Sequence, residues 1–101
     1  MVDAFSKFDG VRASGRLLIT INDAPIGLSL VDLYEKMRRR YGVGKSVVNS
    51  SRQVCKELGL IIIFEAQKFG APRNVLVHHV TPKGIEVAEK LKEIEYILTN
   101  A

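Results

Sequence analysis

The 101-residue sequence has no tryptophan, a single cysteine and no long apolar run. With only one cysteine, Cys55, an internal disulfide is excluded. Because free cysteine is among the most buried residue types, we expect Cys55 to be a small core residue rather than a reactive thiol. No apolar stretch approaches the roughly 20 residues that cross a bilayer, and the first ten residues lack the pattern of a signal peptide. We therefore expect a cytoplasmic protein with no membrane-bound part.

Groups of residues typical of catalysis or metal binding are also missing. His78 and His79 are neighbours on a predicted strand, so their side chains point to opposite faces and cannot bind one metal ion together. Cys55 has no cysteine or histidine at a metal-ligand spacing. The glutamates of the last segment are spaced to pair with nearby lysines, as in Glu86 and Lys90. We expect no enzyme activity, no cofactor and no metal.

Positive charge, in contrast, is present and is concentrated in one segment. The formal net charge is +4 at pH 7. Basic and acidic side chains cancel in residues 1–28 and again in residues 59–101, so the whole excess falls in residues 29–58. A localised basic excess favours an anionic partner such as nucleic acid, whereas a charge that serves only solubility is more often spread out.

The stretch RRRYGVGKS, residues 38–46, ends in the Gly-Lys-Ser of a phosphate-binding loop. That loop requires its first glycine at position 39, which is Arg39, and it follows a buried strand. An amphipathic helical pattern precedes the glycines instead, and the chain is too short for the multi-strand sheet of a nucleotide-binding fold. Residues 42–45 are therefore predicted to be the turn of a helix-turn-helix, because such turns are short and often contain glycine.

Hydrophobic periodicity predicts an α+β chain. A helix is favoured at residues 11–22, although the β-branched residues there also permit a strand. Ser29 and Asp32 have a capping-box spacing, and Gly42 is expected to end the helix that Ser29 begins. The other predicted elements are a short extended piece at 26–28, a helix at 46–58, hairpin strands at 60–67 and 74–80, and a last helix at about 82–98.

The predicted helix at 46–58 has the composition of a DNA-recognition helix. Ser46 is its expected N-cap. Its inner side is expected to hold Val47, Ser51, Val54 and Leu58, with Val48 and Cys55 at the edge of this stripe. Its outer side is expected to hold polar and basic residues, which are Lys45, Ser46, Asn49, Ser50, Arg52, Gln53 and Lys56. One acid, Glu57, is expected at the margin of this side.

These outer side chains suit contacts to DNA. Asn49 and Gln53 lie one turn apart, and each can bond an adenine edge at two points, while Arg52 suits guanine or a phosphate. Phosphate anchoring is expected from the charged and short polar side chains: Arg39, Arg40, Lys45, Ser46, Ser50 and Lys56. The alternative is a merely solvated face, but such faces are usually rich in glutamate as well as lysine.

The tip of the predicted hairpin is a second candidate contact. Lys68 and Arg73 flank the sequence Phe-Gly-Ala-Pro, and Arg73 would approach a minor groove. The alternative is an ordinary hairpin that happens to carry two charges.

Two short sequences strengthen the assignment of the fold. A glycine-turned helix pair is followed by Lys-Glu-Leu-Gly-Leu-Ile at 56–61, a hairpin, and Val-Thr-Pro-Lys-Gly at 80–84. In this order the features resemble the winged-helix regulators of bacteria and archaea, and a strand-Thr-x-x-Gly-helix passage is typical of the MarR-like and PadR-like groups. The resemblance covers roughly residues 11–98. It implies double-stranded DNA binding through the helix at 46–58, assisted by the wing residues 68–73.

The last predicted helix is apolar over a wider arc than a single packing face needs. Its candidate dimer residues are Val87, Leu91, Ile94, Ile97 and Leu98. A homodimer through this helix would present two recognition helices about one DNA turn, or a multiple, apart. The alternative is that the wide arc packs only against the first helix of the same chain.

The expected protein is a single winged helix-turn-helix domain over residues 1–101, with the helix-turn-helix at about 29–58 and the wing at about 60–80. We expect it to act as a homodimeric, sequence-specific transcription regulator on double-stranded DNA. Two alternatives stay open. One is a winged-helix module that binds another protein, and the other is an architectural DNA-binding protein that is indifferent to sequence.

Overall fold

The computed structural model describes residues 13–67 and 74–100, which form four helices and three strands. In chain order these are α1 (Ala13–Asn22), β1 (Leu28–Ser29), α2 (Leu30–Tyr41), α3 (Lys45–Glu57), β2 (Ile61–Gln67), β3 (Asn74–Val80) and α4 (Pro82–Asn100). The predicted wing tip at 68–73 and the first two residues of the predicted first helix lie outside the described residues.

Helix α1 lies at the centre of the core. Leu17, Leu18 and Ile21 are all buried, and the helix packs against both α3 and α4. In a strand, the side chains of Leu17 and Leu18 would point to opposite faces of the sheet. Because both are buried in the same core, the helix is favoured over the strand that the sequence also permitted. Thr20 is buried too, and its hydroxyl donates to the Arg16 carbonyl at 2.7 Å, which satisfies the polar group within the helix.

Helix α2 has the two caps that the sequence predicts. The Ser29 hydroxyl accepts from the Asp32 amide at 3.2 Å, and Gly42 adopts the left-handed conformation with φ +67°. The Gly42 amide donates to the Arg38 carbonyl at 2.9 Å and so closes the last turn. Leu33 and Met37 are the residues of this helix that are fully buried.

The sheet is antiparallel, with strand order β1-β3-β2. Strands β2 and β3 pair from Ile61 opposite Val80 to Gln67 opposite Asn74, as expected for the hairpin. The short extended piece is displaced from the expected residues 26–28, because β1 pairs with β3 through Leu28 opposite His78 and Ser29 opposite Val77. Pairing with a distant strand, rather than local sequence, sets the bounds of β1.

Two backbone junctions fix the hairpin against the helices. Gly59 has φ +73° and the Leu60 amide donates to the Cys55 carbonyl at 2.9 Å, so that α3 ends in a Schellman motif. At the start of α4, the Thr81 hydroxyl accepts from the Gly84 amide at 3.0 Å and donates to the Gly59 carbonyl at 2.6 Å. Thr81 therefore ties the end of α3 to the beginning of α4.

Cys55 is a core residue, as its residue type predicts. It is fully buried, its thiol lies 3.8 Å from the Ser14 carbonyl, and burial raises its pKa to about 12. A thiol with this pKa is protonated at neutral pH and is therefore a poor nucleophile.

These elements make up an α+β winged helix-turn-helix: three helices, a hairpin whose strands form the wing, and a C-terminal helix. Within residues 13–67 and 74–100, no helix is long and apolar enough to span a membrane.

Candidate nucleic-acid interface

The turn between α2 and α3 begins with Gly42 and ends with Gly44, the N-cap of α3. Val43 between them packs partly against the core. The expected N-cap, Ser46, is wrong: α3 begins one residue earlier, at Lys45, and Gly44 caps it without a side-chain hydrogen bond. The Val48 amide donates to the Gly44 carbonyl at 3.1 Å, which places Ser46 inside the first turn. The stretch RRRYGVGKS thus joins two helices and does not follow a strand.

The inner face of α3 differs from the one that the sequence predicts. Val48, Ser51 and Cys55 are buried, whereas Val47 has 46% of its surface exposed. The amphipathic pattern is compatible with either Val47 or Val48 on the inner face, because these neighbouring residues are equally apolar. Packing against α1 places Val48 on the inner face, since the Cys55 thiol then lies against the Ser14 carbonyl.

The outer face of α3 carries the polar residues that the sequence singles out. Its exposed members are Lys45, Ser46, Asn49, Ser50, Gln53 and Lys56. Glu57 is exposed as well, and the Gln53 amide nitrogen donates to its carboxylate at 3.2 Å. At 100° per residue, Glu57 lies close to the direction of Gln53, so it is part of the outer face rather than at its margin.

Asn49 and Arg52 belong to a chain of hydrogen bonds that joins α2, α3 and β3. The Tyr34 hydroxyl lies 2.8 Å from Asn49 Oδ1, and Arg52 Nη1 lies 2.9 Å from the same oxygen. Arg52 Nε lies 2.8 Å from His78 Nε2, and His78 Nδ1 lies 2.9 Å from the Leu28 carbonyl oxygen. Arg52 is therefore engaged by protein groups through two of its nitrogens.

The direction of every bond in this chain follows from Arg52. A guanidinium has only donors, so the atom of Asn49 that faces it is the amide oxygen, and the atom of His78 that faces it is an unprotonated nitrogen. Tyr34 consequently donates to Asn49. His78 is neutral, carries its proton on Nδ1 and donates it to the Leu28 carbonyl.

The pKa of His78 is lowered from its ordinary value. Burial is the main cause, and the positive charge of Arg52 acts in the same direction, while the hydrogen bond to the Leu28 carbonyl opposes them. Each cause agrees with the geometry, because His78 is fully buried and accepts from a cation.

This pKa shift predicts that acid destabilises the protein through His78. Since the folded protein holds the imidazole neutral, the unfolded chain binds more protons once the pH falls below the ordinary histidine pKa of about 6.5. The contribution to the free energy of unfolding is complete above that value and is lost as the pH falls through the lowered pKa. Urea unfolding at several pH values between 7.5 and 5 should show this decline.

His78→Gln provides the comparison, because it removes the titrating group but keeps a polar side chain. Carboxylates titrate in both proteins, so only the difference between the two pH profiles reports His78. Parallel profiles would contradict the prediction.

Tyr34 and His78 were missed as site residues by sequence reasoning. In the sequence, Tyr34 falls within the apolar stripe of the helical pattern that Ser29 begins, and His78 is expected only on one face of a strand. A signal existed for His78, because a histidine that alternation places inside must find hydrogen-bond partners. Nothing in the sequence indicates that these partners are Arg52 and Leu28, which lie 26 and 50 residues away.

The basic residues near the turn lie on exposed surface. Arg39 forms a salt bridge with Glu35, and the Arg40 guanidinium stacks over the Tyr41 ring at 5.5 Å. The Lys45 ammonium lies over the ring of Tyr34, 5.3 Å from its centre, and the hydroxyl of the same tyrosine donates to Asn49. Lys68 and Arg73, the predicted wing contacts, lie outside the described residues.

The candidate dimer residues of α4 divide into two groups. Val87 and Leu91 pack against the core of the same chain. Ile94, Ile97 and Leu98 are 48%, 61% and 68% exposed. A groove of about 310 Å³ runs between this end of α4 and the helices α1 and α2, and it is lined by Arg16, Ile19, Tyr41, Leu91, Ile94, Glu95, Leu98 and Thr99.

No protein-family model and no curated protein sequence matches the chain. Solved structures do match it. The structure of smu.1704 from Streptococcus mutans UA159 has a TM-score of 0.74 at 12% sequence identity, over 97% of this chain and 83% of that one. The circadian clock associated protein Pex from Anabaena has a TM-score of 0.63 at 14% identity, over 86% of this chain and 80% of that one. SSV1 F-93 has a TM-score of 0.62 at 18% identity, over 93% of this chain and 98% of that one.

At these identities the likeness establishes the fold. The chain shares the winged-helix fold with these proteins over most of its length. The likeness does not single out the MarR-like or PadR-like groups.

Proposed function

We propose that the protein is a sequence-specific, double-stranded DNA-binding transcription regulator that acts as a homodimer of single winged-helix domains, of the MarR-like or PadR-like kind. The observation that carries the proposal is the outer face of α3. It is polar, exposed and rich in hydrogen-bonding groups, and it lies within the segment that holds the entire excess of positive charge. The association of the structural neighbour Pex with the circadian clock is in keeping with a regulatory role.

The geometry suits insertion of α3 into a major groove. An α-helix with its side chains is about 10–12 Å wide, and the groove is about 12 Å wide. Gln53 and Asn49 lie on the exposed face, where they would meet base edges. Backbone phosphates would be bound by the flanking polar and basic residues: Arg39, Arg40, Lys45, Ser46, Ser50, Lys56, Lys68 and Arg73.

The homodimer is supported by the distal half of α4. Ile94, Ile97 and Leu98 expose much of their apolar surface, while the proximal half of the same helix is used by the core. The corresponding helix of a second copy would cover them and place two recognition helices on successive half-sites. Sedimentation of the protein should give the mass of two copies, and the mass of one copy would remove dimerisation from the proposal.

Replacing Lys45 with alanine should weaken binding to all duplexes alike. A lysine that neutralises one phosphate contributes about 0.9 to the slope of log K against log salt, so the variant should lower that slope by about one unit. Fluorescence anisotropy with duplexes of random sequence, at several salt concentrations, measures the slope. Lys90→Ala removes the same charge from exposed surface of α4 and should leave the slope unchanged. Equal slopes for the two variants would contradict the role of Lys45.

The same titration separates the alternatives. If the native protein binds no duplex at low salt, the DNA proposal fails and the winged-helix module that binds another protein takes its place. If it binds every duplex with equal affinity, it is an architectural protein rather than a regulator.

A further inference from the structure

The amide oxygen of Asn49 already accepts two hydrogen bonds. Tyr34 and Arg52 both donate to it, at 2.8 and 2.9 Å. A carbonyl-type oxygen has two lone pairs, so these bonds use its full accepting capacity. Among residues 13–67 and 74–100, no group bonds the amide nitrogen, and Asn49 is exposed. The side chain therefore offers solvent two N–H donors and no acceptor.

The donors of these two hydrogen bonds are held in place by other groups of the protein. Arg52 donates with a charged group, and charge-assisted hydrogen bonds are roughly twice as strong as neutral ones. The guanidinium is itself fixed by His78, which is buried and bonded to the backbone of β1. A base that competed for the oxygen would have to displace either this charged donor or the Tyr34 hydroxyl, whose side chain packs partly against the core.

This arrangement changes which base Asn49 recognises. The usual bidentate contact with adenine needs an acceptor for the N6 amino group and a donor for N7. Asn49 lacks the free acceptor. Guanine presents two acceptors in the major groove, N7 and O6, and thymine presents one, O4.

We propose that Asn49 acts as a donor-only contact that selects guanine and disfavours adenine, and that Tyr34 is the positioning residue that sets this preference. The inference rests on the proposed function, since it concerns the base that the same helix recognises. It replaces the adenine contact that the residue type of Asn49 predicts from sequence alone.

Selection from a pool of randomised duplexes tests the proposal with four proteins: the native protein, Asn49→Ala, Tyr34→Phe and Tyr41→Phe. The position that Asn49 contacts is the one at which Asn49→Ala loses its base preference. At that position the native protein should select guanine. Tyr34→Phe removes one donor and frees a lone pair on Asn49, so adenine should gain roughly fivefold or more relative to guanine.

Tyr41→Phe is the matched control, because it removes a hydroxyl from the same helix without touching Asn49. Its base preference should equal that of the native protein. Thermal unfolding of all four proteins monitors the fold. A purely structural effect of Tyr34→Phe would lower the affinity for all duplexes alike and leave the ranking of the bases unchanged.

Three results would overturn the inference while leaving DNA binding intact. They are a native preference for an A·T pair over a G·C pair at the mapped position, an unchanged ranking in Tyr34→Phe, and no loss of preference in Asn49→Ala. Failure of the native protein to bind any duplex at low salt is a different result, and it would overturn the proposed function together with the inference.

Discussion

Replacing Gly84 with alanine should lower the free energy of unfolding by about 3 kcal/mol, at the upper end of the usual cost of overpacking. Gly84 is buried in the first turn of α4, against Leu60, the residue just before β2. An added Cβ would overlap the Leu60 carbonyl oxygen and lie 2.9 Å from its carbonyl carbon. That oxygen cannot move away freely, because it accepts from the Thr81 amide at 3.0 Å. Backbone would have to shift at the junction between the hairpin and α4.

Urea unfolding monitored by circular dichroism measures this loss, and Gly44→Ala is the matched control. No heavy atom lies within 4 Å of a Cβ at Gly44, and its φ of −82° is open to any residue. The control should cost at most about 1 kcal/mol, because helix N-caps prefer glycine to alanine. Equal stabilities for the two variants would show that α4 does not pack against Leu60 as closely as described.

Replacing Arg52 with alanine should cost about 2 kcal/mol of stability and also alter base selection. The variant leaves His78 Nε2 without its donor in a buried site, and an unsatisfied buried polar group costs about 1–3 kcal/mol. It also removes one of the two donors that hold the Asn49 oxygen. Stability is measured by urea unfolding, and base selection by the randomised duplex pool.

A double-mutant cycle with His78→Leu isolates the contact between Arg52 and His78. In the His78→Leu background no imidazole nitrogen is left unsatisfied, so Arg52→Ala should cost clearly less than in the native protein. Lys36→Ala, which removes an exposed charge from α2, should change stability by less than about 0.5 kcal/mol. If Arg52→Ala costs the same in both backgrounds, the two side chains are not coupled.

The helices, the hairpin and most caps could be predicted because their causes are local. Ser29 and Asp32 are three residues apart, and Gly42 and Gly59 each act on the turn just before them. Strands β2 and β3 begin and end within one residue of the predicted bounds. Such features depend on neighbours in the chain, which a sequence displays directly.

The candidate site was predictable in composition but not in arrangement. The polar residues expected on the outer side of α3 are exposed except Arg52, which is half-buried. The inner face is centred on Val48 and Cys55, which were expected at its edge, rather than on Val47 and Val54. Because α3 has apolar residues that suit either of two inner faces, its packing partners decide which of the two is turned toward the core. The expected cap at Ser46 was wrong for a related reason, since glycine at position 44 allowed the helix to begin one residue earlier.

The sequence by itself determined the order of elements, the glycine turn and the confinement of the positive charge to residues 29–58. Only the tertiary structure decided which hydrogen-bonding groups of the Asn49 side chain remain free. Its oxygen is bonded by Tyr34 from another helix, and Arg52 is held by His78 from a strand that follows much later in the chain. A residue type states which donors and acceptors a side chain has. Which of them remain free depends on groups that folding brings within about 3 Å, and no local pattern specifies those groups.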